Sequence, residues 1–301
     1  MSRRYAVLDV FSNRPLAGNQ LAVVLDSDGL DRDAMQAIAR EFNLSETVFV
    51  RPAAAPMHSA AIRIFTPARE LPFAGHPTVG AAVLLGLDRA ASGNGDGPMV
   101  LVLEEEVGPV RCGVTPASDR QGHAIFDLPK LPAETGPAPD RDALAAALGL
   151  IPGEIGFENH LPSIFDAGLP FVFVPVRDLD VAGKARVNAA AWQDAFGERG
   201  AAYVYCREAS ERDHQFHARM FAPALGIEED PATGGAVAAL AGVIARFDQP
   251  PGGTHRYVIE QGFEMGRPSL IKLEIDMDGG MVVEGRIGGD AVVVARGTLE
   301  V

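Results

Sequence analysis

The sequence predicts an α+β fold of two pseudo-symmetric lobes, each a curved mixed β-sheet or barrel wrapped around a central apolar helix. Three observations predict it. First, the chain repeats itself: Arg63-Ile64-Phe65-Thr66-Pro67, then His76-Pro77-Thr78, returns as Arg219-Met220-Phe221-Ala222-Pro223, then Asp230-Pro231-Ala232, with the two arginines 156 residues apart. Second, 301 residues exceed the usual size of one core and suit two of about 150 residues each. Third, residues 78–87 and 232–245 carry no charge on any face, and a helix that is apolar all round must be enclosed on all sides.

Each lobe reads as strand, strand, amphipathic helix, two strands, a second helix, then hairpin strands. Ala17-Gly18 leads into the apolar run Leu21-Ala22-Val23-Val24, echoed by Ala167-Gly168 before Phe171-Val172-Phe173-Val174. Met35, Ile38, Ala39 and Phe42 form the apolar stripe of a helix over 31–42, and the stretch from Met35 to Val50 is echoed from Trp192 to Cys206. Glycines at 80, 86, 234, 235 and 242 weaken the two apolar helices but allow an encircling sheet to approach closely. Segments 99–115, 256–275 and 281–298 read as hairpins, the last able to complete either lobe. Four prolines between Pro129 and Pro139 suit a linker and nothing regular. The expected boundaries are therefore an N-terminal lobe at 1–128, which a C-terminal strand at 290–301 can complete, a linker at 129–140 and a C-terminal lobe at 141–289.

A formal charge of −14 disfavours nucleic acid and anionic membranes as partners and points to a small molecule. Cys112 and Cys206 form no metal or redox pattern, and the start is unlike a signal peptide, which suggests the cytoplasm. The longest uncharged run, Leu71 to Leu87, contains Pro72, His76 and Pro77 and reads as interior rather than membrane span. No glycine-rich nucleotide motif follows a strand, so no cofactor is indicated, and nothing implies a metal. His214 and His217 are three residues apart, but in a strand they would point to opposite faces. His58, His123, His160 and His255 read as surface or loop residues, and Glu104-Glu105-Glu106 as a solvated turn.

Three residues invite a chemical reading. Asp230 before Pro231 has a plain structural explanation as a helix N-cap with proline at the first helical position. His76 has no such explanation, because histidine is not a favoured cap. Gly75, Gly234 and Gly235 leave bare N–H groups near two helix starts, natural sites for a substrate carboxylate in a cleft between the lobes. Glu46, in Asn43-Leu44-Ser45-Glu46, opens a strand, where a solvated carboxylate is the ordinary expectation. The repeat places Ala202 opposite it, so the fold itself requires no acid there. Flanked by Leu44 and Phe49, its carboxyl suits general acid and base work.

Together these residues resemble the phenazine-biosynthesis PhzF-like isomerase family, which shares the two-lobed diaminopimelate epimerase-like fold. The resemblance runs from Asp9-Val10-Phe11 and Pro15-Leu16-Ala17-Gly18-Asn19 to Gly266-Arg267-Pro268-Ser269. It is most specific at Asn43-Leu44-Ser45-Glu46, at Glu70-Leu71-Pro72-Phe73-Ala74-Gly75-His76-Pro77 and at Glu229-Asp230-Pro231-Ala232-Thr233-Gly234. It implies Glu46 as acid/base, His76 and Asp230 as its catalytic companions, substrate binding by Gly75, Gly234, Gly235 and Asn19, catalysis without cofactor or metal, and a homodimer. One departure is Gly235, where the family often has a serine whose hydroxyl contributes to the substrate site. The implied activity is an acid/base proton shift on a small carboxylate-bearing amino or cyclic acid, such as one like trans-2,3-dihydro-3-hydroxyanthranilate. Two alternatives stand beside it: an amino acid epimerase or racemase of the same fold, and a non-catalytic small-ligand-binding or scaffold homologue. The thiol form of the epimerase needs a cysteine at each helix start, where this chain has Ala74 and Thr233.

Overall fold

Period-two burial begins the first unit: in β1 (Ser2–Val10) the side chains of Ala6, Leu8 and Val10 are wholly buried, as inward positions of a half-buried strand must be. The computed structural model describes residues 2–93, 97–197 and 200–301. It divides into one unit of Met1–Pro129 with Gly288–Val301 and another of Lys130–Ile287.

In the first unit β1 is followed by β2 (Asn19–Val24), α1 (Arg32–Phe42), β3 (Glu46–Arg51), β4 (Ala60–Phe65), the short β5 (Glu70–Leu71), α2 (Gly75–Ala91), β6 (Met99–Glu105), β7 (Gly108–Pro116) and β8 (Gln121–Asp127). Pairing runs β1–β2 antiparallel, β2–β3 parallel, β3–β4 antiparallel, β4–β6 parallel, then the antiparallel meander β6–β7–β8. The final strand of the chain pairs with both β1 and β8, so the sheet closes on itself and leaves no edge around its ring. Helix α2 lies within this ring. Gly80 shows how tightly: a Cβ there would stand 2.5 Å from Leu21 Cδ2 and 2.8 Å from Val10 Cγ2. Helix α1 packs outside, its Met35, Ile38 and Ala39 against Val24, Phe49 and Phe65. Asp31 caps it by accepting from Ala34 N, and Asn43 ends it in the left-handed region at φ 51°.

The second unit holds β9 (Ala133–Glu134), α3 (Arg141–Leu148), β10 (Ser163–Asp166), β11 (Pro170–Pro175), α4 (Leu179–Lys184), α5 (Ala189–Phe196), β12 (Ala202–Cys206), β13 (Phe216–Ala222), β14 (Ile227–Asp230), α6 (Gly234–Phe247), β15 (Gly253–Gln261) and β16 (Ser269–Asp278). The pairing order repeats that of the first unit: β10–β11 antiparallel, β11–β12 parallel, β12–β13 antiparallel, β13–β15 parallel, β15–β16 antiparallel. Helix α6 is the counterpart of α2, with every residue from Ala236 to Ile244 buried. Its Gly242 lies against the Phe165 ring, where any side chain would collide.

Two expectations change. The proline-rich segment is not wholly irregular, since Ala133–Glu134 pairs with β10. Residues 281–298 are no hairpin but one long strand, β17 (Met281–Glu300), which belongs to the second unit through Ile287 and to the first from Gly288. Gly288 within it admits close backbone approach, because a Cβ there would stand 2.7 Å from Ala124 O. Among the described residues no helix is long and apolar enough to cross a membrane.

Candidate functional site

In the first unit the left-handed Asn43 turns the chain out of α1, and β3 starts on Glu46. Glu46 Oε2 lies 3.3 Å from Nε2 of His76, in the first turn of α2. On the other side of the ring, His76 Nδ1 lies 3.4 Å from the Nδ2 amide of Asn19, itself fully buried at the start of β2. Burial pushes the imidazole down to about 3, against a smaller raising effect of a hydrogen bond with the Gln20 backbone. His76 is therefore neutral at ordinary pH, and its Nε2 and Glu46 Oε2 stand close without meeting hydrogen-bond geometry. Ala74, the N-cap of α2, offers no side-chain acceptor, and the N–H groups of Gly75 and His76 lie in the first turn, which has no intrahelical partners to offer them. Asn19, expected to bind substrate, meets His76.

In the second unit the N-cap explanation of Asp230 fails. Asp230 ends β14, and Thr233 is the N-cap of α6. Asp230 is 7 % exposed, and its Oδ2 accepts from the Thr233 hydroxyl at 2.5 Å. Gln261, which with Gly262 belongs to the stretches that carry the family resemblance but was given no role, holds this turn. Gln261, fully buried at the end of β15, donates from Nε2 to Asp230 O at 2.7 Å and to Thr233 Oγ1 at 3.0 Å, while its Oε1 accepts from Thr233 N at 3.1 Å. Gly234 and Gly235 follow as the first residues of α6, and a Cβ on Gly235 would meet only the Phe171 ring, at 3.9 Å.

The acidic run Glu104-Glu105-Glu106 is not a solvated turn. Glu104 accepts from Ala54 N and Ala55 N, both at 2.8 Å, and contacts His58 Nδ1 at 2.7 Å. Exactly the same set recurs 156 residues on, although none of it was singled out as a repeat: Glu260 accepts from Ser210 N at 2.9 Å and Glu211 N at 3.1 Å and contacts His214 Nδ1 at 2.7 Å. The arginines of the repeat also correspond, Arg63 forking onto Glu70 and Arg219 onto Glu229. Common spacing was the signal that would have found these clamps. His214 precedes β13 rather than lying in it, so it and His217 both reach Glu260 instead of facing apart.

His160 is fully buried, stacked on Phe157 at 4.5 Å and bonded to Tyr205 and Asp248, contrary to its surface reading. Glu158, His160 and Asp248 have ligand atoms close enough for a metal. The Arg207 guanidinium already contacts all three, and its charge opposes a cation there. The one-residue detail of the repeat also shifts: Thr47 pairs with Phe65 while Ala202 pairs with Phe221, so Ala202 matches Thr47 and Ala201 matches Glu46. Neither carries an acid. Both cysteines are buried, and burial pushes the Cys206 thiol up to about 12, so neither has the makings of a thiolate base.

Comparison with known proteins agrees with this geometry. An uncharacterized isomerase of Mesorhizobium japonicum is 52% identical over 99% of both chains. The trans-2,3-dihydro-3-hydroxyanthranilate isomerase of Pseudomonas fluorescens is 36% identical over 98% of both. A Bacillus anthracis crystal structure described as a phenazine biosynthesis protein of the PhzF family covers 100% of both chains with TM-score 0.87 at 24% identity, which shows the same diaminopimelate epimerase-like fold. The family model described as phenazine biosynthesis-like protein matches residues 8–297. With a match of that extent, and relatives alike from end to end, this chain belongs to the phenazine biosynthesis-like family and is an isomerase.

Proposed function

We propose that the protein is a cofactor-independent isomerase that shifts a proton on a small carboxylate-bearing amino or cyclic acid of the trans-2,3-dihydro-3-hydroxyanthranilate type. The observation that carries this reading is the Glu46 carboxylate 3.3 Å from a buried, neutral imidazole at a helix start. Glu46 takes a proton from one carbon and returns it to another along the conjugated system, so no electrons leave or enter the substrate. His76, neutral at 3.3 Å, places no positive charge beside the Glu46 carboxyl that would make it a weaker base. The helix-start N–H groups at Gly75, and at Gly234 and Gly235, suit a substrate carboxylate, and Asp230 suits an amino or hydroxyl group. These binding roles follow the family resemblance and belong to the proposal.

The test is turnover of trans-2,3-dihydro-3-hydroxyanthranilate in deuterated buffer. The wild type incorporates deuterium at the new C–H position, and Glu46→Gln lowers kcat by about 10²–10⁴-fold, the usual worth of a positioned acid/base. Equal exchange and equal product from the two proteins would remove Glu46 from the mechanism. Failure of the wild type to turn this compound over, with exchange on another cyclic amino acid, would change the substrate and leave the chemistry.

A further inference from the structure

Glu105 is buried, 9 % exposed, in a molecule that has no use for it in the reaction proposed above. It ends β6 with its side chain on the inward face that Leu101 and Leu103 also share. Its Oε1 lies 2.8 Å from the hydroxyl of Thr78, and the same hydroxyl lies 2.8 Å from Ala74 O. A threonine hydroxyl has one proton. If that proton goes to Ala74 O, the contact with Glu105 is a hydrogen bond only when Glu105 is the donor, which requires the carboxylic acid. Glu105 Oε2 has no hydrogen-bond partner among the described residues, a heavy cost for a buried carboxylate and a small one for the neutral acid.

The second unit supplies the comparison. Gln261 stands 156 residues after Glu105, at the end of the matching strand, and its amide donates to the Thr233 hydroxyl, which donates to Asp230. Both units thus run a chain from a buried donor, through a threonine hydroxyl, to an acceptor at the start of the central helix. In one the donor is an amide. We infer that in the other Glu105, held as a neutral acid, is a positioning residue that fixes Ala74 and the start of α2, and with it the orientation of Gly75 and His76.

Burial pushes the Glu105 carboxyl up to about 8, and a hydrogen bond that Thr78 would donate to the charged form offsets only part of that. The titratable groups around it are few. Cys112 on β7 is itself buried and raised by burial first and Glu105 second, Asp127 ends β8, and His76 on α2 is neutral. Glu105 also lines a half-open cavity of about 320 Å³ with Arg63, Glu70, Glu104 and Glu106, in which Arg63 is committed to Glu70.

The inference uses the isomerase reading only for its catalytic readout, so two measurements independent of turnover accompany it. Glu105→Gln keeps a donor and removes the titration. Because the acid is raised in the folded state, the wild type loses stability relative to this variant as pH rises from about 4.5 to about 8, and the gap in Tm is level above that. The Thr78 amide, bonded to Ala74 O, exchanges faster in the wild type than in Glu105→Gln above pH 8, after correction for intrinsic rate. In turnover, kcat of the wild type falls above pH 8 with KM little changed, kcat of Glu105→Gln does not, and Glu105→Leu lowers kcat at least tenfold at every pH. A Tm gap that is the same from pH 5 to 9 would overturn the proposal. A pH-dependent gap in a protein that turns over no substrate would uphold it and sink the isomerase reading instead.

Discussion

Single residues carry the largest surprises, and each has a local reason. Asp230-Pro231 has the composition of a capped helix start, but the helix waits until Gly234, because the chain spends Ala232 and Thr233 in a turn that Gln261, far away in sequence, helps to hold. His160 looks solitary because its partners Phe157, Tyr205 and Asp248 come from three separate segments. Glu105 was readable: Leu101, Leu103 and Glu105 alternate inward, and extending the period by one step would have buried it. By contrast, Glu46 and His76 stood out in the sequence as candidates, while their approach to 3.3 Å and the contact with Asn19 are products of the fold. Replacing Gln261 with Leu removes its hydrogen bonds to Thr233 N and Asp230 O, so we expect a loss of about 1–3 kcal/mol in urea unfolding. His217 gives a pH-dependent counterpart. Burial opposes its charge, but hydrogen bonds to Glu260 and Glu264 outweigh burial and hold it up at about 9. Its ordinary value is about 6.5, so its contribution to stability is full below that pH and is lost as pH rises through about 9. The stability gap between wild type and His217→Gln accordingly narrows from pH 6.5 to 9, and a gap that widens would refute the assignment.

At the scale of elements, the two central helices were legible from their lack of charge, and their glycines from the same reasoning. What could not be read is which sheet residue each glycine meets. Gly80 faces Leu21 and Val10, contacts across about 60 and 70 residues of chain, set by barrel closure. Gly80→Val therefore overpacks the fully buried first half of α2, and we expect a loss of about 1–3 kcal/mol, seen as a lower urea midpoint at unchanged slope. Gly235 is the contrast within α6: with only the Phe171 ring 3.9 Å from a new Cβ, Gly235→Ser is expected to change Tm by no more than a degree or two while adding a hydroxyl beside the helix start. The hairpin expected over 281–298 failed for the opposite reason. Glycine pairs mark turns so often that a strand running straight through Gly288-Gly289 has no sequence signature, and the need for close approach appears only once β8 is beside it.

For the whole chain, duplication is the organising fact, and it reaches further than the motif that reveals it. The Glu–His–backbone clamps, the forked arginines and the threonine-bearing helix starts all repeat, while the acid at Glu46, the imidazole at His76 and the amide at Gln261 do not. Repetition thus holds the scaffold and difference holds the candidate chemistry. Removing residues 290–301 would strip β1 and β8 of their shared partner and leave two open strand edges in the first unit. We expect the truncated chain to lose protection of β1 and β8 amides in hydrogen exchange while β12, β13 and β15 keep theirs.

The strand that makes this closure leaves the ribosome only after the second unit. Between Pro129 and Gly288 the whole second unit must be synthesised, 158 residues from Lys130 to Ile287, which takes about 10–30 s at usual elongation rates. Through that interval the first unit exists as an unfinished ring with its apolar helix incompletely enclosed. A nascent chain of this protein is therefore exposed in its older half while its younger half can already fold, and the chaperone demand of its biosynthesis falls on the part made first.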